Sequence, residues 1–323
     1  LLGYRPTNRL RDGKFRKIEV KVQRKGAKVR ARKGYYAPLE GEEVASEVDA
    51  RAGEPDFQPV LDSPFQEDAI PLRMTAYVFD EKLLGKATVL VAVDVDIRAF
   101  EFEEKGERFV DDLEFLLVVA HQESGEYFRY DQKVEMSFLP ETRRKLEADW
   151  YTVAREFELE PGVYQAKMAV RDKNSGRFGS VIHDFEVPEL GPLRISTPLM
   201  TDLLQDGAGG RPRPVLRVRR TFASDATLFC EFEVYGAARE EETGMPRVAA
   251  GYVVRGQDGT TLGRVEPTVI RPSSLGSLSR LFGMPLRGAP PGEYELVLSL
   301  SDQIAGESLE VREPFTIEAP SGS

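Results

Sequence analysis

The chain has 323 residues, 41% of them hydrophobic and 30% charged, with a net charge of -10. That length suits about two domains of roughly 150 residues, each able to bury its own core. No apolar run approaches the roughly 20 residues of a membrane helix, and the single cysteine excludes an internal disulfide.

The net charge hides an asymmetry. Residues 1–38 carry thirteen Lys and Arg against only Asp12 and Glu19, and the next segment is strongly acidic. Within the basic block Ile18, Val20 and Val22 alternate with Lys17, Glu19 and Lys21. A turn at Arg24-Lys25-Gly26 leads to Val29 and Ala31 alternating with Lys28, Arg30 and Arg32. This is a β-hairpin with one apolar and one basic face, and alone it would be marginal in water. Residues 39–66, rich in Glu, Asp, Ala, Pro and Gly, read as an acidic linker. Because the chain opens LLGYRPTN, residue 1 is expected to be a cut inside a longer protein.

From residue 67 to 190 the pattern is that of an antiparallel sandwich. Leu72, Met74, Ala76 and Val78 alternate, then Val89, Val91, Val93 and Val95. The run LEFLLVVA at 113–120 is apolar on both faces, as a central strand requires. Phe128, Tyr130, Gln132, Val134, Met136 and Phe138 share one face opposite charged neighbours. PETRRKLEAD at 140–149 breaks the period and predicts one short helix, with Pro at its first position and Glu beside it. Residues 191–318 should form a second sandwich, entered by a loop-like crossover over 189–214. Leu216 and Val218 should begin its first strand, Leu228, Cys230, Phe232 and Val234 form a strand with the thiol inside, and a hairpin over 249–265 turns at Asp258-Gly259. RPSSLGSLSRLFG is the least strand-like part, and 319–323 is tail.

The two sandwiches end on one repeated unit. Pro161, Gly162, Tyr164, Asp172, Gly176, Phe185 and Val187 align without a gap on Pro291, Gly292, Tyr294, Asp302, Gly306, Phe315 and Ile317. Each copy predicts a closing hairpin entered through a Pro-Gly corner with a tyrosine just inside it, Met168 and Leu298 lying in the cores.

Chemistry-bearing residues are sparse. His121 and His183 stand at or near strand ends, without metal spacing to another His or a Cys. There is no G-x-S-x-G, H-E-x-x-H or phosphate-cradling glycine loop. The clusters Glu101, Glu103, Glu104 and Asp111, Asp112, Glu114 allow a glycosidase pair or a calcium site in principle, against the plainer reading as charged strand edges and loops. Asp172-Lys173-Asn174-Ser175-Gly176 resembles the start of a calcium loop. Its repeat partner Asp302-Gln303-Ile304-Ala305-Gly306 keeps only what a turn needs. Catalytic, cofactor-binding and metal residues are therefore all expected to be none. A nucleic-acid role for the basic hairpin is weighed against the acidity of the remaining chain.

The words LLGYRPTN, DGKFRKIEVKV and VRARKGYYAP, in that order, resemble the closing strands of the von Willebrand factor A-related domain of bacterial proteins of acidobacterial type. PLRMTAYVF, PETRRKLEADW and PGVYQAKMAVRDKNSGRFGS resemble the region C-terminal to that domain in the same family. The resemblance implies an α/β A domain that can carry a D-x-S-x-S metal-dependent adhesion site. That motif is not in this sequence, and no metal ligand carries over. The resemblance also implies an exported, extracytoplasmic, non-enzymatic protein. The expectation is therefore an all-β chain of two tandem Ig-like or fibronectin-like sandwiches behind the hairpin remnant of an A-type domain. It would act in protein interaction, adhesion or as a surface scaffold, through a protein partner or self-association, with no cofactor, nucleic acid or small-molecule substrate. The alternatives are a carbohydrate-active or carbohydrate-binding sandwich using the acidic clusters, and nucleic-acid binding through the hairpin.

Overall fold

The computed structural model describes residues 65–83, 85–207 and 212–320, together with 15–17, 34–36, 57, 60 and 63. The chain divides into two units, Leu1–Pro64 and Phe65–Ser323. In the first, β1 (Phe15–Lys17) pairs antiparallel with β2 (Gly34–Tyr36), Phe15 opposite Tyr36. The apolar strip of the expected hairpin, Ile18 to Val29, and the acidic linker up to residue 56 lie outside the described residues.

The second unit holds two sandwiches of one plan. In the first, β3 (Leu72–Leu83), β4 (Lys86–Val95) and β8 (Tyr151–Leu159) form a sheet in the order β3-β4-β8. The facing sheet runs β10 (Phe178–Val187), β9 (Gly162–Asp172), β6 (Arg108–His121), with β7 (Tyr127–Phe138) on the far edge of β6 and the short β5 (Glu103–Lys105) beside its start. The alternating valines of β4, all at most 1% exposed, face Leu113, Phe115, Leu117 and Val119 of β6 and Ala166, Met168 and Val170 of β9. β6 is central, as its two apolar faces predict. On the open side the Arg155 guanidinium of β8 lies over the Tyr130 ring of β7, 4.2 Å from its centroid, and donates to Gln132 at 2.6 Å, which closes that edge. The helix α1 (Pro140–Asp149) lies where the sequence places it. Glu141 stands in its first turn, an Arg143–Glu147 pair at 2.8 Å spans one turn, and Trp150 donates its N–H to the Leu146 carbonyl at the end.

The second sandwich repeats the plan. β11 (Arg194–Ile195) and β12 (Leu199–Thr201) share one edge of β16 (Thr227–Tyr235), and β19 (Leu278–Pro285) pairs with the other. The facing sheet runs β15 (Thr221–Ala223), β21 (Ser308–Glu318), β20 (Gly292–Asp302), β17 (Val248–Gly256), β18 (Thr261–Val269). A small hairpin of β13 (Leu204–Asp206) and β14 (Pro212–Pro214) stands apart. β4, β6, β7, β8, β9 and β10 correspond in order and pairing to β16, β17, β18, β19, β20 and β21. Both sandwiches are thus Ig-like, with a sheet of few strands facing a longer one.

Three expectations about elements are corrected. The crossover 189–214 carries four short strands rather than free loop: β11 and β12 form an edge of the second sandwich, and β13 and β14 pair with each other. The segment holding Leu216 and Val218 is not a strand, since its apolar side chains turn to the first sandwich. The stretch read as least strand-like holds most of β19, whose Leu278, Phe282 and, just beyond the stretch, Met284 are buried; Arg280 on the same face interrupts the alternation.

The repeated residues explain themselves. The Tyr164 hydroxyl donates to the Glu160 carbonyl at 2.9 Å and that of Tyr294 to the Pro290 carbonyl at 2.8 Å, the same four-residue step back in each corner. Phe185 stands opposite Tyr164 and Phe315 opposite Tyr294, stacked at 5.5 and 5.8 Å. Met168 and Leu298 are fully buried, as expected. At the other end of each hairpin Gly176 and Gly306 take φ of 70° and 71°, a region that costs a residue with a Cβ.

The sandwiches are joined side to side. Tyr77 and Ala92, on the outward face of the β3-β4-β8 sheet, are covered by Val218, with Phe79, Leu90, Ala154, Leu199 and Leu216 around them. The Tyr77 hydroxyl donates to the Arg217 carbonyl at 2.6 Å. Along the edge of β3, Val78 receives the Thr197 N–H on its carbonyl and donates its own N–H to the Thr197 hydroxyl, both at 3.0 Å. An edge that would be open to pairing is thereby closed.

Candidate functional site

The residues singled out for chemistry do not converge. Glu101, Glu103 and Glu104 are exposed, and Glu103 pairs with Lys105 at 3.1 Å. Asp112 holds Lys173 at 2.9 Å. The nearly buried Glu114 lies 3.6 Å from both Lys133 and Arg171 on the neighbouring strands. His121 ends β6, accepts the Ser124 N–H at 3.0 Å and meets the Tyr164 ring edge-on at 4.9 Å. It fills the space a Cβ on Gly162 would need, which is why that corner takes glycine. His183 sits in the middle of β10 rather than at a strand end. It stacks on Phe185, and burial lowers its pKa below the ordinary histidine value. Cys230 is fully buried and its thiol is pushed up to about 12 by desolvation, an inert structural group.

One pair of carboxyl groups is brought together, at the end of the first sandwich away from the tyrosine corner. Asp172 closes β9, is 0% exposed, and accepts from the backbone N–H groups of Asn174 at 3.0 Å and Ser175 at 3.3 Å, from the Ser175 hydroxyl, and from the Glu101 N–H at 3.1 Å. It both shapes the β9–β10 turn and ties that turn to the loop after β4. Asp302 does the same in the second sandwich, accepting from Ile304 at 2.9 Å, Ala305 at 3.2 Å and Ala238 at 2.7 Å. The expected turn role of the repeated aspartate therefore holds in both copies.

Asp111 has no such explanation. It is 2% exposed, and neither carboxylate oxygen has a hydrogen-bond partner among the described residues. Burial, and after it the adjoining Asp172 carboxylate, push its pKa up to about 7; the amides of Asp112 and Asn174 oppose that shift from outside hydrogen-bonding geometry. A signal for this inward position was present in the sequence: Asp111 shares the alternation of Leu113, Phe115, Leu117 and Val119. A glycosidase pair flanks a sugar at a separation of roughly 5–9.5 Å. Two carboxyl groups in contact and closed to solvent cannot do so.

No family profile matches the chain, and no curated protein matches it. Among solved structures it is similar to Escherichia coli alpha-2-macroglobulin activated by porcine elastase, at 11% identity and a TM-score of 0.27, over 78% of this chain and 23% of that one. It is also similar to a Parabacteroides merdae beta-glucuronidase, at 10% identity and a TM-score of 0.27, over 83% of this chain and 32% of that one. The chain thus spans about a quarter to a third of the length of these proteins, and likenesses of this strength carry no argument about what it does.

Proposed function

We propose that this chain is a non-enzymatic protein-interaction or surface-scaffold module, of the kind found C-terminal to a von Willebrand factor A-related domain in exported bacterial proteins. The observation that supports the reading is the joint. The outward face of one sandwich, which could have bordered a substrate cleft, is spent on Tyr77, Ala92 and Val218, so that two sandwiches make one block. Of the carboxylates that a carbohydrate-active site could draw on, Asp112 is held by Lys173 and Glu114 by Lys133 and Arg171. Partners of such a block are proteins or a second copy, recognised through loops and strand edges.

The test sets the scaffold against the enzyme. The chain is assayed on aryl glycosides and on soluble polysaccharides, and no turnover above the uncatalysed rate is expected. Turnover that disappears in Asp111→Asn or Glu114→Gln would overturn the reading.

A further inference from the structure

The second sandwich provides an internal comparison for Asp111. The Lys173 N–H donates to the Asp112 carbonyl at 3.1 Å, and the Gln303 N–H to the Arg247 carbonyl at 2.9 Å, so Asp112 and Arg247 are equivalent. One residue earlier, Asp111 is matched by Pro246. The turn is therefore built with one acid in the second sandwich, and Asp111 is an addition that the hairpin does not need. A buried carboxylate beside another carboxylate is costly unless something neutralises it. Two cations flanking Asp172 in sequence are engaged by other acids, Lys173 by Asp112 at 2.9 Å and Arg171 by Glu114 at 3.6 Å.

Neutral oxygens meet at the same place. The Asn174 side-chain amide donates to the Glu101 carbonyl at 2.9 Å and to the Val110 carbonyl at 3.4 Å, so a side-chain amide and two backbone carbonyls gather beside the two acids. Rotating that amide by half a turn exchanges its nitrogen for its oxygen, so the same side chain donates to the two carbonyls without a cation and offers an acceptor oxygen to one. Asp172 can offer the lone pair that now receives the Ser175 hydroxyl, a group free to rotate.

We propose that Asp111 and Asp172, with the Asn174 side-chain oxygen and the Glu101 and Val110 carbonyls, form a binding site for a hard divalent cation, calcium in the first place. Every donor is oxygen, which excludes a preference for softer metals. The donors come from two loops and the ends of two strands, a pliable set that suits the variable coordination of calcium better than the strict octahedron of magnesium. The bound ion removes the repulsion between the carboxylates and fastens the loop after β4, the start of β6 and the β9–β10 turn to one another. The proposal stands independently of the scaffold reading.

The test is thermal unfolding of the full chain in chelator and in calcium. A ligand that binds only the folded state raises Tm, by roughly 3–7 °C at a calcium concentration about ten times Kd. Asp111→Asn should fold, keep its circular dichroism and lose the calcium response. Asp112→Asn, at an exposed neighbour, should keep it. Calorimetric titration should give one calcium per chain, with a weaker response to magnesium. If the wild type shows no shift, or the shift survives Asp111→Asn, the site does not exist. If calcium-free wild type is no less stable at pH 7 than Asp111→Asn and neither responds to calcium, the pair simply shares a proton, and the proposal is overturned.

Discussion

The corner tyrosines carry their weight through one hydroxyl each. Tyr164→Phe keeps the ring stacked on Phe185 and removes only the bond to the Glu160 carbonyl, so urea unfolding should show a loss of about 1 kcal/mol. Asp302→Ala should cost more, about 3 kcal/mol, because three backbone N–H groups lose a charged acceptor at a buried position. His183 sets a pH dependence. Its folded pKa is depressed by burial, so the neutral ring is the form the fold prefers. That stability is present above the unfolded value near 6.5 and is lost as pH falls through the folded pKa. His183→Gln should flatten this part of the profile when the two proteins are compared by denaturation between about pH 7 and pH 5. At this scale much was legible in the sequence: the repeat marked the tyrosines, the aspartates and the glycines, each of which has a bond or a dihedral angle to account for it. The meeting of Asp111 with Asp172 was not legible, because it depends on how β6 and β9 pair across the chain, with Leu113 opposite Asp172.

Strands were readable where alternation was undisturbed. β4, β7, β9, β16 and β20 follow their side-chain period, and α1 follows its proline, its acid and its broken alternation. β19 escaped because Ser, Gly and an inward Arg280 dilute the pattern, its burial being decided by β16 beside it. The crossover escaped because two- and three-residue strands are too short for any period to register. Turns are the elements at which single residues decide the outcome. Gly306 has φ of 71° and no atom within 4 Å of where a Cβ would stand, so the penalty for Gly306→Ala is conformational alone. A loss of about 1–2 kcal/mol is expected by urea titration. A neutral result would mean that the turn relaxes to another form, visible as lost hydrogen-exchange protection at the Gly306 amide, which now bonds to the Asp302 carbonyl.

For the molecule as a whole the question is what makes two sandwiches behave as one, since neither main core crosses between them. The coupling rests on a small third cluster and on the edge of β3. Burying Tyr77 and Val218 contributes about 1.5–3 kcal/mol each, and the bonds from Tyr77 to Arg217 and between Val78 and Thr197 fix the orientation. Burial drives the Tyr77 hydroxyl up to about 12, so no physiological pH loosens the joint by ionising it. Val218 is 4% exposed and belongs to neither main core. Val218→Asp therefore places a carboxylate in this apolar cluster while leaving both sandwiches their own packing. The wild type should unfold in a single calorimetric transition, because separating the sandwiches exposes this cluster and the β3 edge together. In Val218→Asp that transition should split into two, and small-angle scattering should show a larger radius of gyration with native circular dichroism retained. One transition at unchanged dimensions would mean that the β3 edge alone couples the sandwiches, and Thr197→Val, which removes the hydroxyl that receives the Val78 N–H, would then be the variant that separates them.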